Sequence, residues 1–154
     1  MQKIFFSVVS VAALLIGCGV NTANFTPTNT SSWTIGTTSY TGPTVTRSGN
    51  NQLTGDDGTN AMHIYFASIP SASGSYLIVN QTKAVNNTLA SNECCFEFDK
   101  GALDVYLSTG LPLDTAFVTV SGGKIAVTAT HLRVVHYAGG PALDSTYATG
   151  AYYQ

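Results

Sequence analysis

The chain has 154 residues, 44% of them hydrophobic and 9% charged, with a net charge of −2; soluble domains usually carry roughly 25% charge. That length allows one domain, two at the outside, and is enough to bury a usable core. Six basic residues against eight acidic ones leave no cationic patch to neutralise phosphates, which excludes nucleic-acid binding. Thr, Ser, Asn and Gly take the place of charge, a mix that favours strands and turns over helices, and five scattered Pro do not make a disordered chain.

In chain order, residues 1–17 read as a processing signal, with Lys3 as the positive flank and Ile4 to Ile16 as the apolar run. The run is short of the about 20 apolar residues that a membrane-spanning helix needs. It ends in Leu15-Ile16-Gly17-Cys18, which resembles the lipobox of bacterial lipoproteins. The resemblance implies cleavage before Cys18, a diacylglyceryl thioether on its sulfur and acylation of the new amine. The alternative is an ordinary secretory signal whose Cys is incidental. Gly19 stands where Asp marks inner-membrane retention, so the same resemblance implies the outer membrane. Loss of Lys3 leaves five basic and eight acidic residues, a net of −3.

Residues 18–31, rich in Asn and Thr and without periodicity, read as a lipidated Cys and flexible tether, and 32–154 as the folded domain. Trp33 to Tyr40 around Gly36 predicts a tight hairpin, and Thr44 to Arg47 pairs with Gln52 to Thr54 across Ser48-Gly49-Asn50-Asn51. Gly55-Asp56-Asp57-Gly58 predicts another turn, explained by turn chemistry rather than a calcium loop. After it, Met62, Ile64 and Phe66 point one way and His63 and Tyr65 the other. Gly74 to Val79 opens the next strand, a lone helical turn falls between Gln81 and Ala90, and Cys94 to Asp99 alternates as a half-buried strand before Leu103 to Leu107. Phe117 to Val120, Gly122-Gly123 and Ile125 to Thr130 form the clearest hairpin, extended by Leu132 to Tyr137 and closed by Tyr147 to Tyr153. The expected fold is all-β: a single antiparallel β-sandwich or flattened barrel of about eight to ten short strands.

The lipobox, the polar tether, the Trp33-Thr34-Ile35-Gly36-x-x-x-Tyr40 opening, the Pro70-x-x-x-Gly74-x-Tyr76 step and the late Gly-Gly hairpin resemble the small β-rich lipoproteins of Bacteroidota-type cell envelopes. That family implies no catalytic residues. In the same setting Asp114-Thr115-Ala116 and Asp144-Ser145-Thr146 resemble the sequon for periplasmic O-glycosylation, with Thr115 and Ser145 as acceptors.

Cys94 and Cys95 are adjacent on a predicted strand, so they face opposite sides and bridging them needs a strained turn. They read either as a vicinal disulfide or as free thiols, Cys94 in the core and Cys95 at least half exposed. Glu93, Cys95, Glu97 and Asp99 share a face that reads as solvated, because carboxylates strung along one strand span too far to chelate together. His63, His131 and His136 are the only imidazoles; the last two fall on opposite strand faces unless a bulge intervenes, and no zinc spacing is present. No metal, cofactor or catalytic residue is therefore expected, and no nucleophile elbow, phosphate loop or His-Glu-x-x-His motif occurs. Eight Tyr in so weakly charged a chain point to an outward aromatic platform for ligand binding, with Tyr65, Tyr137, Tyr147 and Tyr153 as candidates, or to rings that merely cover the sheet. The expectation is a lipid-anchored, non-catalytic envelope module that binds a glycan, a peptide or an outer-membrane protein. The alternatives are an assembly subunit that pairs through a sheet edge and, last, a small metal-dependent or hydrolytic enzyme.

Overall fold

Glycines with positive φ set the hairpins, and two-residue alternation sets what each strand buries. The computed structural model describes residues 29–111 and 114–154; the signal segment, Cys18 and the tether as far as residue 28 lie outside the described residues. β1 (Thr30–Ile35) turns at Gly36 into β2 (Thr38–Gly42), and β3 (Thr44–Ser48) and β4 (Gln52–Asp56) flank Gly49. Then follow β5 (Asn60–Phe66), β6 (Gly74–Ile78), the single helical turn α1 (Thr82–Val85), β7 (Glu93–Lys100) and β8 (Asp104–Ser108). β9 (Thr115–Ser121) and β10 (Lys124–Ala138) meet at Gly122-Gly123, both with positive φ as a primed turn requires. β11 (Ala142–Tyr153) closes the chain. No helix among the described residues is long and apolar enough to cross a membrane.

The fold is all-β, as expected. Its eleven strands form one mixed sheet in the order β2-β1-β11-β10-β9-β6-β7-β5-β4-β3, antiparallel except for the short β6–β7 pairing. Between β7 and β10 the sheet divides, with β6 and β9 filling the gap at one end and β8 alone spanning it at the other. Two strands are long rather than short, β10 with 15 residues and β11 with 12. β1 also reaches back to Thr30, so two residues assigned to the tether belong to the sheet, and Ser31 is fully buried.

A sheet with one apolar face has to cover it, and this one folds onto itself. Met62, Ile64 and Phe66 from β5 meet Phe96 and Phe98 from β7, Trp33 from β1, and Leu132, Val134 and Tyr152 from the long C-terminal pair. Each such large side chain contributes about 1.5–3 kcal/mol when fully buried. Glycine decides how closely the two halves approach. A Cβ on Gly55 would fall 1.9 Å from Ser31 Oγ, and one on Gly42 would fall 2.4 Å from the same atom. Ser31 Oγ in turn donates to the Gly42 carbonyl at 3.1 Å, which satisfies a buried hydroxyl. Close by, where Gly150 pairs with Trp33, a Cβ on Gly150 would sit 2.8 Å from Met62 Sδ. The free edge of β3 is tied down by Tyr152 Oη donating to the Thr46 carbonyl at 3.3 Å and by Arg47 donating to the Gly123 carbonyl at 2.9 Å and to the Gln154 side chain.

Overpacking of this kind costs about 1–3 kcal/mol. Gly55→Ala is therefore expected to destabilise the protein by about that much in urea unfolding. Adding Ser31→Gly, which removes the clashing atoms, recovers part of the loss.

Candidate functional site

A candidate opening lies where β9, β10 and β11 come together. It is a groove of about 520 Å³ lined by Leu111, Asp114, Thr115, Phe117, Thr130, His131, Arg133 and Tyr147, within the size range of small-ligand sites. Its walls follow from strand geometry. Ala116 and Val118 point into the core, so Phe117 between them points out and is 58% exposed. On β10 the pairing with β11 jumps from Ala129↔Gly150 to Leu132↔Ala148, so Thr130 and His131 both stand opposite Thr149. This β-bulge turns both residues outward. Arg133 and Tyr147 are cross-strand partners on the same outward face, and the Tyr147 ring, 53% exposed, lies 4.3 Å from the His131 ring.

The polar groups of the groove differ in how far they are engaged. Asp114 accepts the Arg133 backbone N–H at 3.2 Å and lies 3.7 Å from His131 Nδ1, with its side chain only 13% exposed. Among the described residues the Arg133 guanidinium donates one hydrogen bond, to Ser145 Oγ at 3.4 Å. Two open rings, a held carboxylate and a nearly unengaged guanidinium thus face one cleft.

A second constellation covers the outward side of β4, β5 and β7. Thr54, His63 and Glu97 stand in one cross-strand row, and Gln52 and Tyr65 in the next. His63 Nε2–H meets Asp99 at 3.2 Å, which leaves Nδ1 to accept from the Thr54 hydroxyl and the Gln52 amide, each at 2.9 Å. Gln81 Nε2 and the Tyr65 hydroxyl both reach Glu97. Burial alone would depress the His63 pKa, but the hydrogen bond to Asp99 and the charges of Asp99, Glu97 and Asp56 outweigh it, and the net shift is upward. Burial, reinforced by Asp99, also raises Glu97 against the opposing pull of His63, Gln81 and Tyr65. Burial raises the Tyr65 phenol, so it stays a hydrogen-bond donor.

The β7 face expected to be solvated is therefore half covered, because the segment after β6 crosses it. Lys83 Nζ donates to Glu93 Oε1 at 2.6 Å, and the Ala90 N–H to Glu93 Oε2 at 2.9 Å; these two contacts hold the Glu93 pKa down. Cys95, expected to be at least half exposed, lies fully buried beneath this crossing with a backbone hydrogen bond to Ala84. Cys94 is buried on the core side, and both thiols are free. Burial pushes Cys94 up strongly and Cys95 up to about 12, far from the thiolate that reactivity needs.

The four candidate tyrosines do not form one platform. Tyr147 alone is exposed, Tyr65 belongs to the Glu97 network, and Tyr137 and Tyr153 are half-buried elsewhere on the sheet. The bulge does not reunite His131 with His136, whose ring stacks on Tyr106 at 4.4 Å and bonds Asp104 and Asp144. Thr115 lies half-buried in the groove and Ser145 is exposed. Asp57 accepts from the Thr59 and Asn60 N–H groups, the turn chemistry that the Asp-Asp-Gly segment predicts. Among the described residues no three His, Cys, Asp or Glu side chains converge as a metal site. Phe117 and Arg133 escaped the sequence reading, although the inward residues on either side of each required both to face out. No protein-family model, no curated protein and no solved structure matches this chain.

Two outcomes follow from these geometries. A raised pKa means that the folded state favours the protonated group. The His63 contribution is thus complete below 6.5 and fades as pH rises through the folded value, and that of Glu97 is complete below 4.5 and fades likewise. Measured by circular dichroism from about pH 5 to about pH 8, the Tm advantage of the wild type over His63→Gln is expected to shrink steadily. Iodoacetamide should leave Cys94 and Cys95 unmodified in the native protein and label both after denaturation, as read by peptide mass mapping.

Proposed function

We propose that this chain is a lipid-anchored lipoprotein of the bacterial outer membrane whose folded part is a non-catalytic binding module, with the groove at Phe117, Arg133 and Tyr147 as its binding site. The Leu15-Ile16-Gly17-Cys18 sequence supports the anchor. Each buried CH₂ of an acyl chain contributes about 0.8 kcal/mol, so two or three chains hold a protein on a membrane without a spanning helix. The single observation that carries the binding reading is the pair of exposed rings beside polar side chains in a cleft of ligand size. Aromatic faces desolvate well against apolar ligand surface, and fixed polar groups then orient the ligand.

One observation favours a second reading, that of an assembly subunit. β1 pairs only with residues 148–153 of β11, so the stretch from Ala142 to Thr146 has β10 on one side and an open edge on the other. Leu143 stands 61% exposed on that edge, and open edges pair with other chains.

One measurement tests the anchor and another separates the two readings. Intact mass of detergent-extracted protein should show loss of residues 1–17 and an acyl-sized gain at Cys18. On a glycan and peptide array, Tyr147→Ala and Phe117→Ala should each weaken binding about tenfold or more, while Tm holds because exposed substitutions shift stability by about 0.5 kcal/mol or less. An assembly subunit would instead keep any array signal and lose its self-association when Leu143 is changed to Lys.

A further inference from the structure

We propose that the groove selects an acidic sugar: a glycan bearing a uronic acid, whose carboxylate pairs with the Arg133 guanidinium while the C–H face of the ring stacks on Tyr147 or Phe117. This rests on the binding-module reading and specifies its ligand.

Charge availability points to an anion. Arg133 carries five N–H donors, of which one is used, on a hydroxyl at 3.4 Å, and it forms no ion pair among the described residues. The carboxylate of the groove is turned inward: Asp114 Oδ2 accepts the Arg133 backbone N–H at 3.2 Å, Oδ1 lies 3.7 Å from His131 Nδ1, and only 13% of the side chain is exposed. What the cleft leaves unmatched is therefore donor capacity with positive charge, in the planar fork that fits a carboxylate through two parallel hydrogen bonds.

Backbone pairing points to a sugar rather than a peptide. Extended peptides bind by adding a strand to a sheet edge. The β9–β10 ladder ends at Phe117↔Thr128, but the peptide groups beside the exposed side chains are taken: Phe117 stands between Ser75 and Thr128, the Arg133 N–H meets Asp114 at 3.2 Å and the Arg133 carbonyl accepts the Thr109 N–H at 3.1 Å. The Tyr147 carbonyl is occupied by the Gly36 N–H at 2.9 Å. Around Phe117, Arg133 and Tyr147 the cleft thus offers rings and a guanidinium rather than free backbone groups. A pyranose presents an apolar face for a ring and equatorial hydroxyls for Thr130 and His131, and a uronic acid adds the carboxylate at one end.

The test is calorimetric titration of the full detergent-solubilised protein with tetramers of galacturonate, glucuronate and mannuronate, each beside its neutral methyl ester. At least one acid is expected to bind about tenfold or more tighter than its ester, and that preference should fall as salt is raised. Arg133→Gln should reduce the acid to the affinity of the ester, and Tyr147→Ala should weaken both forms. Because both residues are exposed, unchanged Tm values exclude misfolding as the cause. Acid and ester binding equally well, or Arg133→Gln leaving the preference intact, would overturn the acidic-sugar assignment while the groove stands as a binding site. Capture of peptides alone, with dependence on Tyr147, would overturn it in the same way. No binding of any tetramer, together with an array signal indifferent to Tyr147→Ala, would overturn both.

Discussion

The contact of Ser31 with the backbones of Gly42 and Gly55 is the constraint on which the sheet's closure depends. With a Cβ at either glycine the gap would have to open, since the added carbon would lie 1.9–2.4 Å from a buried oxygen. Closing that gap lets β3 and β4 lie over β1 and β11, so the apolar face of a single sheet covers itself without a second sheet or a layer of helices. The same logic appears at the neighbouring Gly150, whose bare backbone receives Met62 and Phe96. Core packing near crystalline density rewards such fits and penalises small errors in them.

β10 links this closure to the candidate site. One half of the strand pairs with β9 and the other with β8, while β11 follows it along almost its whole length. A strand of 15 residues that must serve two differently placed neighbours accommodates the change with a bulge, and the extra residue increases the local twist. The bulge is what brings Thr130 and His131 out beside Arg133, above the start of β9. The groove is thus a by-product of how the sheet divides between β7 and β10, built on rigid strands rather than on a loop.

Much of the fold was legible because period-2 alternation and turn glycines are local signals. The β5 alternation, the Gly49 and Gly122-Gly123 turns and the lone helical turn all lie where the residues place them. What sequence could not show is what lies across a strand. The Glu93, Cys95, Glu97 and Asp99 face alternates correctly, yet Lys83, Gln81 and Ala90 cross it and convert a solvated strip into a hydrogen-bonded one. The parallel β6–β7 pairing is equally non-local and leaves no trace in either strand. The groove was half legible: Tyr147 was visible as an outward ring, but its meeting with Phe117 and Arg133 depends on three strands and a bulge whose register no single segment encodes.

The two polar constellations differ in how far their hydrogen bonds are satisfied, and that difference supports the groove as the proposed ligand site. In the His63 network nearly every group is answered by another: Thr54 and Gln52 by His63, His63 by Asp99 Oδ2, Tyr65 and Gln81 by Glu97, with Asp99 Oδ1 the one buried atom of the network left without a partner among the described residues. A ligand there would have to break bonds among half-buried groups, and a bond lost without replacement costs about 1–3 kcal/mol. The network therefore ties β4, β5 and β7 to the crossing segment and sets how stability responds to pH. At the groove two exposed rings would gain from desolvation, and four of the five guanidinium N–H donors of Arg133 have no protein partner among the described residues and face solvent. Binding at the groove would exchange hydrogen bonds to water for hydrogen bonds to a ligand, whereas binding at the network would first have to break bonds within the protein.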